Sequence, residues 1–324
     1  IDQYQFPLWA EVRPTKISGL STLRLSEDER TATIRGTSFT ITFDKQSGSL
    51  TSYLFDGTQL VERGPEPNFW RPPTDNDFGN RMHQTSAVWR KAGDSRVLVK
   101  FEVRRTNESE VRVTTSYDLP DVRSQFRAEY TVLGSGDVIV TNYFITKEAK
   151  LPEIPRFGVT MRLPKEFESM EYYGRGPHEN YCDRNTSALV GLYKSTVSDQ
   201  YFPYVSPQEN GNKTDVRWVA FTNEKGIGLM AVGMPLLSMS ALHYTVEDLT
   251  QESRGSRHTV DLKKRDFVAL NLDYKQRGVG GDDSWGAKPH VQYCLLAKSY
   301  SYQFCLRPLT KDDDPVKLSK QWFE

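Results

Sequence analysis

The chain has 324 residues, of which 37% are hydrophobic and 12% aromatic, and its 42 Lys+Arg are balanced by 42 Asp+Glu. A formal charge of zero excludes a global field that would steer the protein to nucleic acid or to an anionic membrane. No apolar run reaches the roughly 18 residues of a bilayer span, and the length suffices for about two domains with unstapled cores.

Taken in chain order, the first 25 residues, with Pro7, Pro14 and the polar stretch SGLSTLRLSEDER, are expected to be a linker or the tail of a preceding β-sandwich domain. They contain no signal-like apolar block. The start at Ile1 rather than Met suggests a piece of a longer protein, so the compartment, cytoplasmic or periplasmic, is left open. Residues 26–324 are expected to form the main domain. There the dominant signal is period-two alternation. TSFTITFD puts Phe39, Ile41 and Phe43 on one face, and VLVKFEVRR does the same for Val97, Val99, Phe101 and Val103. EVRVTTSYDL follows, and RSQFRAEYTVLGSGDVIVTNYFIT reads as two strands joined at Gly134-Ser135-Gly136. RWVAFTNEKGIGLMAVG turns at Asn223–Gly226, DFVALNLDY is a further strand, and HVQYCLLA with SYQFCLRPL forms a closing pair. Such runs, bounded by Gly, Asp, Asn and Pro, predict on the order of a dozen antiparallel strands. The βα alternation of a parallel sheet is missing.

Helices are few and short. Residues 80–92 predict a brief one before Gly93, Thr245 with Asp248 is a capping-box pattern, and Asp314-Pro315 suits an N-cap followed by N1. The fold class is therefore all-β, a large antiparallel sandwich. The three cysteines, Cys182, Cys294 and Cys305, have no close metal-ligand spacing. Cys294 and Cys305 could face each other across the closing hairpin, but the odd count favours free thiols.

The loop GVGGDDSWGAKP, Gly278–Pro289, concentrates four glycines, Asp282, Asp283 and Trp285. Two adjacent acids cannot flank a glycosidic bond as a donor–nucleophile pair does, because on an extended loop they point to opposite faces. Turn formation suits them better. The acids of Asp75-Asn76-Asp77 make a second oxygen-rich loop, but neither loop has an EF-hand pattern. The five histidines are scattered. His178-Glu179 could supply a base and an acid to a sugar epimerase, and as readily a hydrogen-bonded turn. An indole on a polar loop could stack on the apolar C–H face of a pyranose, or merely pack the loop. The residues alone leave both open.

Several segments together resemble one family, the C-terminal domain of LacZ-type β-galactosidases of glycoside hydrolase family 2. They are FDKQSGSLTSYLFDGTQL, FWRPPTDNDFGN, PRFGV, YYGRGPHENYCDRNTSALVGLY, YFPYVSPQENGNKTDVRW and GVGGDDSWGAKPH, in that order across most of residues 30–310. The resemblance implies a β-supersandwich like that of galactose mutarotases. It also implies an active site centred on a preceding (β/α)8 barrel, which would hold the catalytic glutamates, magnesium and also sodium. No cofactor is expected in this chain. Trp285 matches a tryptophan that stacks on substrate, and Gly79 begins a segment that resembles a mobile loop beside the site. Asp75, Asn76, Asp77, Asp282 and Asp283 are expected to shape the loops. The Asn107-Glu108 and Asn223-Glu224 pairs sit in polar turns and receive no catalytic role. The expected partners are a β-galactoside, the other domains of one polypeptide and further copies in a homo-oligomer. The expected function is part of a retaining β-galactosidase, inactive alone. A free-standing galactoside-binding module and an aldose epimerase are the alternatives.

Overall fold

The computed structural model describes residues 4–6, 15–16, 20–283 and 285–322. A short β1 (Thr15–Lys16) precedes five strands that pair in sequential order as one sheet. These are β2 (Arg24–Glu27), β3 (Thr31–Arg35), β4 (Phe39–Asp44), β5 (Leu50–Phe55) and β6 (Thr58–Val61). A 12-stranded sheet begins with β7 (Arg63–Asn68). After helices α1 (Asp75–Gly79) and α2 (Met82–Thr85) come β8 (Val97–Asn107), β9 (Glu110–Leu119), β10 (Ser124–Leu133) and β11 (Val138–Ile145). They are followed by β12 (Arg156–Pro164), β13 (Ser169–Gly176), β14 (Leu189–Thr196), β15 (Lys213–Thr222) and β16 (Gly228–Leu242). Helix α3 (Val246–Leu249), β17 (Phe267–Gln276), β18 (Tyr300–Leu309), α4 (Pro315–Leu318) and β19 (Gln321–Trp322) complete the order. The main path of the sheet runs β14-β13-β15-β16-β18-β11-β10-β9-β8, and β17, β12 and β7 branch from β16. Both large sheets are antiparallel; the parallel pair is β1 with β19. Much of the segment expected as a linker lies outside the described residues.

The alternation read from the sequence is what joins the layers. β4 buries Phe39, Ile41 and Phe43 and leaves its threonines part-exposed; β9 buries Val111, Val113 and Tyr117. Phe43 meets Tyr130 of β10 edge-on with centroids 5.0 Å apart, so the five-stranded sheet packs against the β8–β11 region. Each such buried side chain contributes about 1.5–3 kcal/mol. A second aromatic cluster fixes the segment that leads out of β7. Phe69 lies 5.6 Å from Trp89, 5.4 Å from Phe144 and 6.0 Å from Phe157.

Three expectations need correction. Val97, Val99, Phe101 and Val103 do not share a face: Leu98 pairs Tyr117 and Lys100 pairs Ser116, so Val99 is an extra, bulged residue. The bulge shifts the phase of the strand, turning Leu98, Phe101 and Val103 to the core and leaving Val97 and Val99 53% and 52% exposed. HVQYCLLA forms no strand; Val291–Tyr293 is a single 3-10 turn. The Cys294–Cys305 juxtaposition falls with it. Cys305 is buried on β18, Cys294 sits in the loop, and all three cysteines are free. Residues 80–92 are not one helix, because Arg81 adopts a left-handed φ of 63° between α1 and α2. By contrast, the Thr245–Asp248 capping box and the Asp314 cap with Pro315 at the first turn are both present.

Candidate functional site

Four loops leave one rim of the large sheet. Arg156 at the start of β12 pairs with Gln276 at the end of β17, Asn68 at the end of β7 pairs with Gly158, and β13 ends as β15 begins beside it. The loops therefore follow β7, follow β13, precede β15 and follow β17. They carry PPTDND, PHENYCDR, PQENGN and GVGGDDSW. Segments far apart in sequence meet because antiparallel neighbours bring alternate ends to the same edge.

The loop after β17 is held at its base by buried ions. Asp77, fully buried in α1, accepts from Arg71 Nη2 at 3.0 Å and Arg277 Nη1 at 3.1 Å. Its other oxygen accepts from the N–H and hydroxyl of Thr74, completing a capping box. Arg71 also donates to the Gly278 carbonyl at 3.1 Å, and Arg277 to Glu153 at 2.8 Å. Asn76 Nδ2 reaches the Val279 carbonyl at 3.2 Å. Asp183, in PHENYCDR, accepts from the backbone N–H groups of Val279 at 3.1 Å and Gly280 at 2.8 Å. A Cβ on Gly278 would lie 2.5 Å from that carboxylate, so a larger residue there must displace the Asp183 side chain.

Beyond this base the tip is braced by its own acids. Asp283 accepts from the N–H groups of Trp285 and Ala287 at 2.8 and 3.3 Å, and Asp282 lies 2.8 Å from His290 Nε2. Gly286, at φ +131°, passes close enough to Gly79 for an added Cβ to sit 3.2 Å from its carbonyl oxygen. The Trp285 side chain between these braces is 91% exposed. An indole so exposed packs no loop interior, and burying apolar area of that size is favourable for whatever covers it.

The neighbouring loops form a cleft of about 140 Å³ against Val279, lined with Asp75, Glu179, Tyr181, Arg184, Tyr204 and Glu209 among others. Asp75 is exposed and accepts from Gln208 and Arg254. Glu209 is clamped by Arg156 at 2.9 and 3.1 Å, and Arg156 also lies 3.1 Å from Asp273. Burial pushes the Asp273 carboxyl up to about 7 against the pull of Arg156. Glu179 accepts from Arg184, Tyr204 and the Gly211 N–H, whereas exposed His178 faces Ser187. His178 and Glu179 thus have separate partners and do not form an acid–base pair. Among the described residues no group of three or more His, Cys, Asp or Glu could hold a metal ion. The sequence reading missed Arg71, Asp183 and Arg277, although all three lie in or beside the segments that carry the resemblance. Their signal was present, but their common target is visible only in three dimensions.

Residues 35–306 match the family described as beta galactosidase small chain. A β-galactosidase of Priestia megaterium (strain DSM 319 / IMG 1521) is 38% identical over 95% of this chain and 29% of its own length. A β-galactosidase of Halalkalibacterium halodurans is 37% identical over 82% of this chain and 26% of its own. The chain thus spans under a third of the length of these relatives. Among solved structures, a galactose 1-epimerase from Lactobacillus acidophilus NCFM aligns over 89% of this chain and 98% of its own, with TM-score 0.47 and 10% identity.

Proposed function

The chain belongs to the β-galactosidase small-chain family, and from that premise we propose that it lends one wall to a site hydrolysing terminal β-D-galactosides with retention. Trp285 supplies an apolar platform for a pyranose ring, and the α1 segment ending at Gly79 borders it. The observation that carries this reading is a 91% exposed indole on a loop whose backbone is fixed on both sides. An aromatic platform held by its supporting backbone is preorganised to bind, which supports this reading.

The chemistry itself requires two carboxyl groups about 5–5.5 Å apart across the scissile bond. Near Trp285, Asp283 is engaged with backbone N–H groups and Asp282 with His290. Neither is placed as a proton donor facing a nucleophile. The reacting carboxylates, and the magnesium and sodium expected of the family, are accordingly assigned to other domains, and no step is routed through this chain's acids. This chain's part is to bind and orient: the indole holds the sugar while the hydrophobic contact excludes water from one side. The complete protein is proposed to assemble as a homo-oligomer.

In the complete enzyme, Trp285→Ala is expected to raise KM for galactosides about tenfold or more, with a smaller effect on kcat when stacking is equal in ground and transition states. Unchanged kinetics with both lactose and an aryl galactoside would remove the stacking role. The exposure of Trp285 also suits a free-standing galactoside-binding module. In that case the isolated chain binds lactose saturably without any partner domain.

A further inference from the structure

The main path of the large sheet ends in β8 and β14, and the two edges are finished differently. β8 carries the bulge at Val99 and the charges of Lys100, Glu102, Arg104 and Arg105, the usual means by which an edge refuses another strand. β14 pairs β13 in unbroken register from Leu189↔Gly176 to Thr196↔Ser169, and Lys194 is its one charged residue. On its open side one position is already taken. Gln5 Nε2 donates to the Val190 carbonyl at 2.7 Å, and the Val190 N–H donates to Gln5 Oε1 at 2.6 Å. A primary amide offers a donor and an acceptor side by side, as the peptide groups of a neighbouring strand do. Val190 therefore faces away from β13, and by the alternation of an antiparallel ladder so do Leu192 and Lys194. Among the described residues no strand lies across from these two.

Apolar side chains surround these positions. Leu192 and Tyr173 are direct cross-strand partners, 50% and 40% exposed, and Tyr4 and Phe6 flank Gln5 at 77% and 82%. An extended segment laid beside β14 pairs with the outward N–H and C=O groups and covers this surface, which is how strand addition binds. The chain spans under a third of the length of its relatives, and Gln5 already pins one of its own segments to the edge. A segment of the same polypeptide reaches β14 at high effective concentration and leaves the Gln5 bonds in place. A second copy pairing along the whole of β14 would have to displace them. We propose that the β14 edge receives an extended segment from another part of the longer polypeptide, which adds as a strand beside Gln5 and covers Leu192 and Tyr173. This rests on the chain being part of a longer polypeptide and not on the Trp285 platform.

The test is hydrogen–deuterium exchange, read at single amides, on this chain and on the complete protein. In this chain the Val190 amide should exchange slowly and Gln5→Ala should speed it about tenfold, while the Leu192 and Lys194 amides exchange fast. In the complete protein the Leu192 and Lys194 amides should slow about tenfold or more. Equal rates at these two amides in both proteins overturn the proposal, as does a Val190 amide that Gln5→Ala leaves unchanged. Slowing in this chain alone that grows with its concentration overturns it as well, because the occupant is then a second copy. Each of these results leaves the Trp285 reading standing, since galactoside kinetics decide that one.

Discussion

Lys213 opens β15 buried, with its ammonium donating to the Gly211 carbonyl at 3.3 Å. Burial pulls its pKa down to about 8, with Glu179 opposing. The folded value lies below the ordinary 10.5, so between about 8 and 10.5 the unfolded chain binds more protons and stability rises with pH. At pH 7 the burial cost is fully present. Lys213→Met is therefore expected to stabilise the chain at pH 7 by about 1–3 kcal/mol, with the gain shrinking by pH 10. Urea unfolding at the two pH values checks this; a loss of stability at pH 7 would show that the Gly211 and Glu179 contacts outweigh burial. The same residue-scale reasoning separates Asp77 from Asp75. Asp77 sits buried between two arginines, while Asp75 is exposed. Two acids of one motif, separated by a single residue, thus face opposite environments, a difference that no local pattern announces.

At the scale of elements, the loop of Gly278–Pro289 is a tip and a base with different anchors. The base hangs from Asp183 and Arg71, and the tip from Asp283. If Asp183 acts by positioning Trp285, Asp183→Ala raises KM in the complete enzyme, and the double variant with Trp285→Ala is no worse than Trp285→Ala alone. Steady-state kinetics of the cycle measure this coupling. Strictly additive effects would show that Asp183 serves the fold without serving the platform. Elements also explain where sequence reading slipped. The alternation of β8 was legible, but one bulged residue at Val99 exchanged its faces. A bulge inserts no distinctive letter. HVQYCLLA has a strand's composition, yet its backbone bonds go singly to different partners, Gly278 to Tyr293 and Ile154 to Leu295, and no ladder forms.

For the whole molecule, the expectation is that this chain alone, incubated with a chromogenic β-galactoside, releases no product above background. Turnover proportional to protein and surviving repurification would place two working carboxylates within these 324 residues and overturn the assignment of the chemistry elsewhere. The architecture explains why loops can be lent in this way. The two sheets bury a large apolar cluster to which the segment after β7 contributes Phe69, Trp70, Met82 and Trp89, so the rim loops are anchored in the core from which they project.

The sequence by itself determined the all-β class, most of the antiparallel strands, the Thr245–Asp248 capping box and the Asp314 cap. These follow from local rules: side chains alternate every second residue along a strand, and a Thr three residues before an Asp caps a helix. The tertiary structure alone decided that four distant loops share one rim and that Asp77 links Arg71 to Arg277. It also decided that Asp183 holds the Trp285 loop from another strand's end. Those facts depend on strand register and on contacts between residues up to about two hundred positions apart, and sheet pairing sets them through the packing of whole faces.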